Sequence, residues 1–182
     1  MSTIQKGIFK LLLAGFILVL VTYAVTEKLA AAEFYSQFRI IYSLDKRQND
    51  QEIVRLIDSA HYYAYFAMYT FTLSDVADAL IRAKQRGVIV AGITDAIQAT
   101  TTDEAFVLQK LSAAGINVLT QKHLDGIMHM KALVTDRAYA IGSYNWTESA
   151  TDANDEILEI GTDPVLRNRY LSIVKKILVT NQ

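Results

Sequence analysis

The residues best suited to chemistry in this sequence lie between positions 129 and 156. His129 and Lys131 are two positions apart, Ser143 and Asn145 follow a glycine, and Glu156 comes shortly afterwards. Residues two apart on an extended strand share a face, so the imidazole and the ammonium are predicted to project together. With a hydroxyl and an amide nearby, such a set can hold a tetrahedral phosphate anion and attack it. A carboxylate can then accept a proton from the imidazole and fix its tautomer.

The order of these residues closely resembles the motif of the phospholipase D superfamily. The chain reads His-x-Lys-x4-Asp, ending at Asp136, and then Gly-Ser-x-Asn from Gly142 to Asn145. With a single motif, a preceding apolar segment and the stretch GSYNWT, it looks most like the small bacterial nuclease branch, over residues 38–178. Five residues separate Asp136 from Gly142, one fewer than in the common pattern, which predicts a shorter hairpin turn. Asp136 is expected to support that turn, and Gly142 to allow close approach of the backbone.

The resemblance implies a role for each side chain of the set. His129 is expected to be the nucleophile that forms a covalent phosphohistidine, and Glu156 is expected to orient it. Lys131 and Asn145 are expected to hold the nonbridging phosphate oxygens, with a supporting hydrogen bond from Ser143. No metal and no cofactor are implied, because these side chains supply the positive charge that Mg²⁺ provides in other phosphoryl-transfer sites.

The implied mechanism needs two imidazoles on opposite sides of one phosphate, whereas the chain carries one motif. The other histidines, His61 and His123, lack a lysine two positions later. A homodimer with twofold symmetry supplies the second copy of His129 through a self-complementary contact. The sequence therefore predicts a homodimer.

Simpler interpretations of the histidines stay open at this stage. His129 could be a core histidine satisfied by a hydrogen bond. His123, Asp125 and His129 could form a metal site, although their spacing matches no strong ligand pattern. His61 begins an aromatic segment and is expected to be structural.

Three other features have both a structural and a functional interpretation. The aromatic segment at residues 62–71 is expected to be a buried strand, although its rings could instead stack on bases. Arg82, Lys84 and Arg86 are expected to lie on a solvated face, with contacts to a phosphate backbone as the alternative. Trp146 either packs beneath the site or borders the cleft.

The first 32 residues are predicted to be a signal peptide or a membrane anchor. Lys6 and Lys10 precede sixteen uncharged residues, 11–26. A signal peptide would be cleaved after the alanines at 30–32, leaving residues 33–182 as the catalytic domain. An uncleaved anchor would use residues 7–26, with Lys10 reaching towards the lipid headgroups. Both alternatives predict a catalytic domain outside the cytoplasm, either periplasmic, secreted or anchored to the inner membrane.

Composition limits the class of protein. The chain has 182 residues, 52% of them hydrophobic and 20% charged, which indicates a folded domain rather than a disordered chain. It has no cysteine, which excludes a disulfide scaffold, a cysteine-ligated metal and a thiol nucleophile. The net charge is −1, so the chain lacks the basic balance of a protein that coats nucleic acid. A phosphate site must therefore concentrate its positive potential locally.

Strand and helix signals alternate along the chain after the apolar segment. They predict an α/β fold with a mixed, mainly parallel β-sheet flanked by helices, like that of the phospholipase D superfamily, preceded by an N-terminal hydrophobic helix. The helices between the strands are expected to begin at Asn49 and Ser74 as N-caps, and the last helix at Asp163, before Pro164. Strands are predicted at residues 37–42, 62–71, 88–94, 116–120, 127–135, 138–141 and 156–160.

These observations favour a metal-independent phosphodiesterase that cleaves DNA or RNA. A phospholipase D acting on phospholipid headgroups is the alternative, because the motif holds a phosphodiester whatever groups it carries. The small size favours nucleic acid, since little chain remains for a pocket that holds acyl chains. A third hypothesis is a catalytically silent relative used for binding or membrane attachment.

Overall fold

The computed structural model describes residues 3–122 and 125–182. It divides into two compact units, Met1–Gln37 and Phe38–Gln182. The metal site considered at His123, Asp125 and His129 falls partly outside the described residues, because His123 is not among them.

The N-terminal unit is a single long helix, α1 (Thr3–Ser36). Its segment Lys10–Lys28 has a mean hydropathy of 1.8 and is long and apolar enough to cross a membrane. At 1.5 Å per residue these 19 residues extend about 28 Å, close to the thickness of the hydrocarbon layer of a bilayer. The predicted N-terminal hydrophobic helix is confirmed, whereas a signal sequence and an anchor meet these criteria equally.

The second unit is built on a seven-stranded sheet with the strand order β1-β7-β6-β5-β2-β3-β4 within the described residues. The strands are β1 (Phe38–Tyr42), β2 (Tyr63–Met68), β3 (Ile89–Thr94), β4 (Val118–Thr120), β5 (Lys131–Thr135), β6 (Tyr139–Gly142) and β7 (Ile157–Gly161). The predicted α/β class and the mixed sheet are confirmed.

Strand direction shows where the prediction of a mainly parallel sheet needs correction. Only β5 and β7 run opposite to the other strands, yet parallel neighbours are confined to β2, β3 and β4. The hairpin of β5 and β6 lies in the middle of the sheet, where β5 separates β2 from β6 and pairs antiparallel with both. The remaining pairs, β6 with β7 and β7 with β1, are also antiparallel.

Helices cover both faces of the sheet. They are α2 (Ser43–Lys46), α3 (Asn49–Asp58), α4 (Ser74–Gln85), α5 (Thr102–Ala113), α6 (Glu148–Asp152) and α7 (Pro164–Thr180). One core cluster joins one face of the sheet to α3, α4 and α5, with Phe66 and Trp146 among its fully buried members. The other cluster packs α7 against the opposite face, through residues such as Tyr139 and Val174. Period-two alternation in β2 produces both contacts, since Phe66 and Ala67 belong to different clusters.

The helices begin near the predicted positions, but only one of these three predicted N-caps is observed. Asp163 caps α7 as predicted, accepting a hydrogen bond from the Leu166 amide at 2.7 Å. The other two predicted caps are wrong. Asn49 is the first helical residue of α3 and is fully buried, and none of the described side chains caps that helix. Ser74 is likewise inside α4, where its hydroxyl accepts a hydrogen bond from Lys110 instead of an amide of its own helix.

Candidate active site

An open cleft of about 600 Å³ lies at one edge of the sheet. The register of the strands creates it, because Lys131 at the start of β5 pairs with Met68 at the end of β2. Gly142 at the end of β6 similarly pairs with Leu158 near the start of β7. The ends of two strands and the starts of two others therefore meet at one edge. The cleft is lined by His129, Lys131, Gly142, Ser143, Asn145 and Glu156.

His129 and Lys131 reach the cleft from the beginning of β5. The strand starts at Lys131, so His129 precedes it, and the prediction that both residues lie on the strand is wrong. They still line the same cleft, and the Lys131 ammonium donates a hydrogen bond to the His129 carbonyl oxygen at 3.0 Å. The backbone remains attached to β2 at this point, since the Tyr69 amide donates to the Met130 carbonyl at 2.8 Å.

Lys131 is a largely buried cation, with 9% of its surface exposed. Burial lowers the pKa of its ammonium, and the Glu156 carboxylate offsets this only in part. A desolvated ammonium attracts an anion more strongly than one in water, because the local dielectric constant is lower. Lys131 is therefore suited to holding phosphate oxygens.

Gly142 allows β6 to approach β7 closely. Its φ is +154°, and a Cβ atom at this position would lie 2.0 Å from the Ile157 carbonyl oxygen. That approach sets the position of Ser143, whose amide donates to the same carbonyl at 3.0 Å. The Ser143 hydroxyl accepts a hydrogen bond from the Ile157 amide at 3.1 Å and donates one to Glu156.

Asn145 is held in the cleft by the residue that follows it. Trp146 is 1% exposed and packs edge-on against Phe71, with ring centroids 4.7 Å apart. Its amide and carbonyl also bind the backbone at Thr70 and Thr72. Trp146 therefore packs beneath the site. The side-chain oxygen of Asn145 is buried and accepts no hydrogen bond from any described residue.

Glu156 is a buried carboxylate at the back of the cleft. The Ser143 hydroxyl donates a hydrogen bond to one of its carboxylate oxygens, and the side-chain amide of Asn154 donates to the other at 3.3 Å. Its backbone is fixed by Ser43, whose hydroxyl accepts from the Glu156 amide at 3.0 Å. These hydrogen bonds join Glu156 to Ser143, Asn154 and Ser43 rather than to His129. Orientation of His129 by Glu156 therefore stays a prediction.

Asp136 lies outside the cleft, in the turn between β5 and β6. One carboxylate oxygen accepts hydrogen bonds from the amides of His61, at 2.9 Å, and Tyr62, at 3.0 Å. Burial raises the pKa of this carboxyl, but the backbone amides outweigh burial and hold the pKa below its usual range. Asp136 thus ties the β5–β6 turn to the segment that enters β2.

The structure describes the surroundings of the aromatic segment and of the basic residues, for which the sequence allowed two interpretations. In the aromatic segment Phe66 is fully buried, whereas Tyr62 is exposed. Arg82 and Arg86 lie on a solvated face and pair with Asp58. Among residues 3–122 and 125–182, no cluster of three or more possible metal ligands is present.

Sequence reasoning missed two contributors to the cleft. Tyr69 packs against His129 and Lys131, although the sequence identified it only as a member of an aromatic strand. Its position near the carboxyl end of the predicted strand at 62–71 was the available signal, because the carboxyl ends of parallel strands meet at one edge of a sheet. Ser43 contacts Glu156 across 113 residues of chain, and no local pattern in the sequence indicates that contact.

Comparison with known proteins agrees with this geometry. A family model described as "Cardiolipin synthase, PLD-like domain" matches residues 53–178, where PLD denotes phospholipase D. The chain belongs to the PLD-like domain family. This family comprises phosphodiesterases and related hydrolases. The resemblance recognised in the motif is confirmed, and the matched range contains every residue that lines the cleft.

Solved structures show the same PLD-like fold. Nuc from Salmonella typhimurium, a phospholipase D family member, superimposes with a TM-score of 0.73 and 26% sequence identity. The alignment covers 80% of this chain and 95% of Nuc. NucT from Helicobacter pylori gives a TM-score of 0.70 at 24% identity, over 78% of this chain and 95% of NucT.

Curated relatives of this chain carry lipid-related names. The chain is 33% identical over 99 residues to the mitochondrial cardiolipin hydrolase of Chlamydomonas reinhardtii, which covers 54% of this chain and 44% of that protein. It is 33% identical over 120 residues to a phospholipase D of Rickettsia felis, covering 65% of this chain and 58% of that protein. The match thus spans about half the length of these relatives.

Proposed function

We propose that this protein is a metal-independent phosphodiesterase that hydrolyses DNA or RNA through a phosphohistidine at His129. The observation that carries the proposal is the open cleft in which His129, Lys131, Ser143, Asn145 and Glu156 converge. One imidazole, one ammonium and one amide face a common space that can admit a phosphodiester. The PLD-like fold supports this reaction class.

In the first step, a ring nitrogen of neutral His129 attacks phosphorus, and the bond from phosphorus to the leaving oxygen breaks. Lys131 and Asn145 hold the nonbridging oxygens and stabilise the charge that builds up on them. The ammonium of Lys131 is already desolvated, and the backbone that carries Asn145 is fixed by the buried Trp146, so little reorganisation is required. Ser143 and Glu156 support the cleft through the hydrogen bond that joins them.

In the second step, water attacks the phosphohistidine and releases His129. The leaving oxygen needs a proton in the first step, and the water must lose one in the second. We assign both transfers to His129 of a second copy of the chain, arranged about a twofold axis. The functional unit is then a homodimer with a shared cleft.

The lining of the cleft supports nucleic acid as the substrate. Apart from Gly142, every residue that lines it has a polar or charged side chain, and the cleft is open. Such a surface suits a diester within a polar polymer better than a lipid whose acyl chains need apolar contacts. The correspondence with Nuc over 95% of that protein's length also supports this proposal.

Phospholipid is the second candidate substrate. The curated relatives named cardiolipin hydrolase and phospholipase D favour it, as does a helix long enough to cross a membrane. The same helix supports a catalytic domain that works outside the cytoplasm, either after cleavage of residues 1–32 or while anchored through residues 7–26. A catalytically silent relative is a weaker candidate, because the described cleft retains the complete set of reactive side chains.

The test is to incubate the full chain, in detergent and EDTA, with plasmid DNA, RNA, and mixed micelles of phosphatidylcholine or cardiolipin. The His129→Ala variant is assayed in parallel. Cleavage of DNA or RNA by the unaltered chain, lost in the variant, supports the proposal. Headgroup release alone selects phospholipid as the substrate, and no turnover of any substrate selects the silent relative. Sedimentation of the active protein as a monomer contradicts the two-subunit mechanism.

A further inference from the structure

Tyr69 lies directly beside two of the residues proposed for catalysis, His129 and Lys131. It follows β2 by one residue, and its ring centroid is 4.6 Å from that of His129, with the ring planes tilted by 59°. The Lys131 ammonium lies over the same tyrosine ring, 4.8 Å from its centroid. One half-buried side chain thus contacts both the expected nucleophile and the expected phosphate-binding cation.

These contacts restrict how the two cleft residues can move. An aromatic ring packed against the imidazole limits rotation of the His129 side chain. The ring face also attracts the Lys131 ammonium, since an aromatic quadrupole is negative above its plane. Lys131 additionally donates to the His129 carbonyl at 3.0 Å, so the three residues form one packed group.

Tyr69 is itself held by the loop that follows β3. Its hydroxyl accepts a hydrogen bond from the Gln98 side chain at 3.2 Å, and its carbonyl accepts one from the Thr94 hydroxyl at 3.4 Å. Asp95 connects this loop to the His129 segment, because its carboxylate accepts from the Gln98 and Met128 amides, each at 3.1 Å. Asp95 is 1% exposed, so this connection is part of the core.

We propose that Tyr69 is a positioning residue of the active site, whose ring holds His129 and Lys131 towards the cleft and whose hydroxyl is anchored by Gln98. This inference rests on the proposed phosphodiesterase function and deepens it. The ring contributes packing and takes no proton or bond in the reaction, so phenylalanine should replace it and an aliphatic side chain should not.

The first test compares Tyr69→Leu with Tyr69→Phe in the full chain, using the substrate that the unaltered protein cleaves and a chromogenic phosphodiester. A nucleophile misplaced by about 1 Å costs about 100-fold in rate. Tyr69→Leu should therefore lower kcat by about 10- to 100-fold with little change in KM, and Tyr69→Phe should lower it by no more than about threefold. A rise in KM at constant kcat overturns the proposal, because it assigns Tyr69 to substrate binding. Equal losses in both variants also overturn it.

Tyr65 provides a matched control, because it lies in β2, the strand that Tyr69 follows. Like Tyr69, it has a lysine ammonium over its ring: that of Lys175 lies 5.2 Å from the centroid. Neither Tyr65 nor Lys175 is among the residues that line the cleft. Tyr65→Leu should leave kcat and KM unchanged. A loss in Tyr65→Leu as large as in Tyr69→Leu would show that the effect reflects general packing of β2, and would overturn the proposal.

The Gln98 contact keeps the proposal testable if Tyr69→Leu does not fold. Gln98→Leu and Tyr69→Phe remove the same hydrogen bond, so each should lower kcat by about two- to threefold and the double variant by no more than either. Additive losses, or no loss in any of the three variants, overturn the anchoring role.

A spectroscopic measurement separates this proposal from the proposed function. The chain has three histidines, and the His129 ring proton signals can be assigned from their loss in His129→Ala. The ring current of Tyr69 should shift those signals in the unaltered chain and in Tyr69→Phe, and the shift should vanish in Tyr69→Leu. If the unaltered protein cleaves no diester, the function fails while this shift still tests the contact. An unchanged His129 signal in Tyr69→Leu overturns the positioning role.

Discussion

The two halves of the sheet contribute different parts of the site. The antiparallel half consists of β5, β6, β7 and β1, and every residue that lines the cleft lies in or just beyond the ends of β5, β6 or β7. The parallel half, β2, β3 and β4, supplies residues that hold those side chains, among them Tyr69, Thr94 and Asp95. The reactive groups thus come from the antiparallel half. Support comes from both halves, because Ser43 after β1 fixes the Glu156 backbone and Trp146 after β6 fixes the backbone next to Asn145.

Strand direction explains this division. In the antiparallel half, β6 ends at the edge where β5 and β7 begin, so side chains at or just beyond the ends of three neighbouring strands converge there. The parallel strands β2 and β3 bring only their carboxyl ends to that edge, followed by loops that lead into helices. Loops of this kind can fix backbone amides and carbonyls, as Asp95 does for Met128. Antiparallel pairing is therefore the feature that gathers the reactive groups.

The strongest test of the division is loss of the nucleophile. His129→Ala should lower the rate by about 10⁴-fold or more while leaving the free energy of unfolding nearly unchanged, because His129 is exposed at the cleft. Single-turnover hydrolysis and urea unfolding measure the two effects. His61→Ala is the matched control, since His61 is also exposed and contacts Arg137 at the entry to β2. A comparable rate loss in His61→Ala would contradict the assignment.

Lys131→Met should lower the rate by about 10²- to 10³-fold, because it removes the cation that stabilises the phosphate oxygens. Burial lowers the pKa of the Lys131 ammonium. As the pH rises, the unaltered enzyme should therefore lose activity at a lower pH than it would if Lys131 had the pKa of a solvent-exposed lysine. The alkaline limb of the pH–rate profile measures this, and it should be absent from the residual activity of Lys131→Met. An unchanged limb in the variant would assign the titration to another group.

Gly142→Ala should destabilise the antiparallel half by about 2 kcal/mol or more, because the added methyl group meets the Ile157 carbonyl in a strained backbone conformation. Activity should fall as well, since Ser143 depends on the same contact. Gly87→Ala is the control, with φ at +88° but no atom of another described residue within 4 Å of the added Cβ. Gly87→Ala should lower the free energy of unfolding only by the backbone strain, about 1 kcal/mol. Equal losses in urea unfolding would show that the close approach at Gly142 is unimportant.

Asp136 should give the antiparallel half an acid-sensitive contact. Its carboxyl pKa is lowered in the folded state, so its stabilisation is present above the unfolded pKa and is lost as the pH falls through the folded value. Asp136→Asn should cost about 1 kcal/mol near pH 7 and progressively less in acid. Unfolding in urea at a series of pH values measures the difference, and a constant cost at every pH would contradict it.

Glu104 of α5, which contacts the parallel half through Thr94, should show the opposite dependence on pH and the smallest effect of these changes. Burial raises the pKa of its carboxyl, although hydrogen bonds from Thr94 and the Phe71 amide act in the other direction. Because the pKa of this carboxyl is higher in the folded chain than in the unfolded chain, the free energy of unfolding decreases as the pH rises above the pKa of the unfolded chain. Glu104→Gln should differ from the unaltered chain by no more than about 1 kcal/mol and gain relative stability towards alkaline pH. A relative loss towards alkaline pH would show that Glu104 is ionised when buried.

The sequence predicts most of this fold because strands and helices leave local patterns. Each predicted strand is present, with ends shifted by a few residues, and the spacing from His129 to Glu156 is enough to assemble the cleft. The cap at Asn49 fails because burial of this side chain depends on packing between elements. The contacts of Tyr69 and Ser43 also depend on strands that are distant in the chain, and periodicity carries no information about which strands become neighbours.

The sole tryptophan of the chain provides an intrinsic optical probe of the cleft floor. Because Trp146 is buried against Phe66 and Phe71 and directly follows Asn145, its fluorescence emission reports on the packing under the phosphate-binding groups. A red shift of that emission before the loss of helical circular dichroism would reveal that the floor loosens ahead of global unfolding. Quenching by iodide would then measure how readily solvent reaches it, with no label attached.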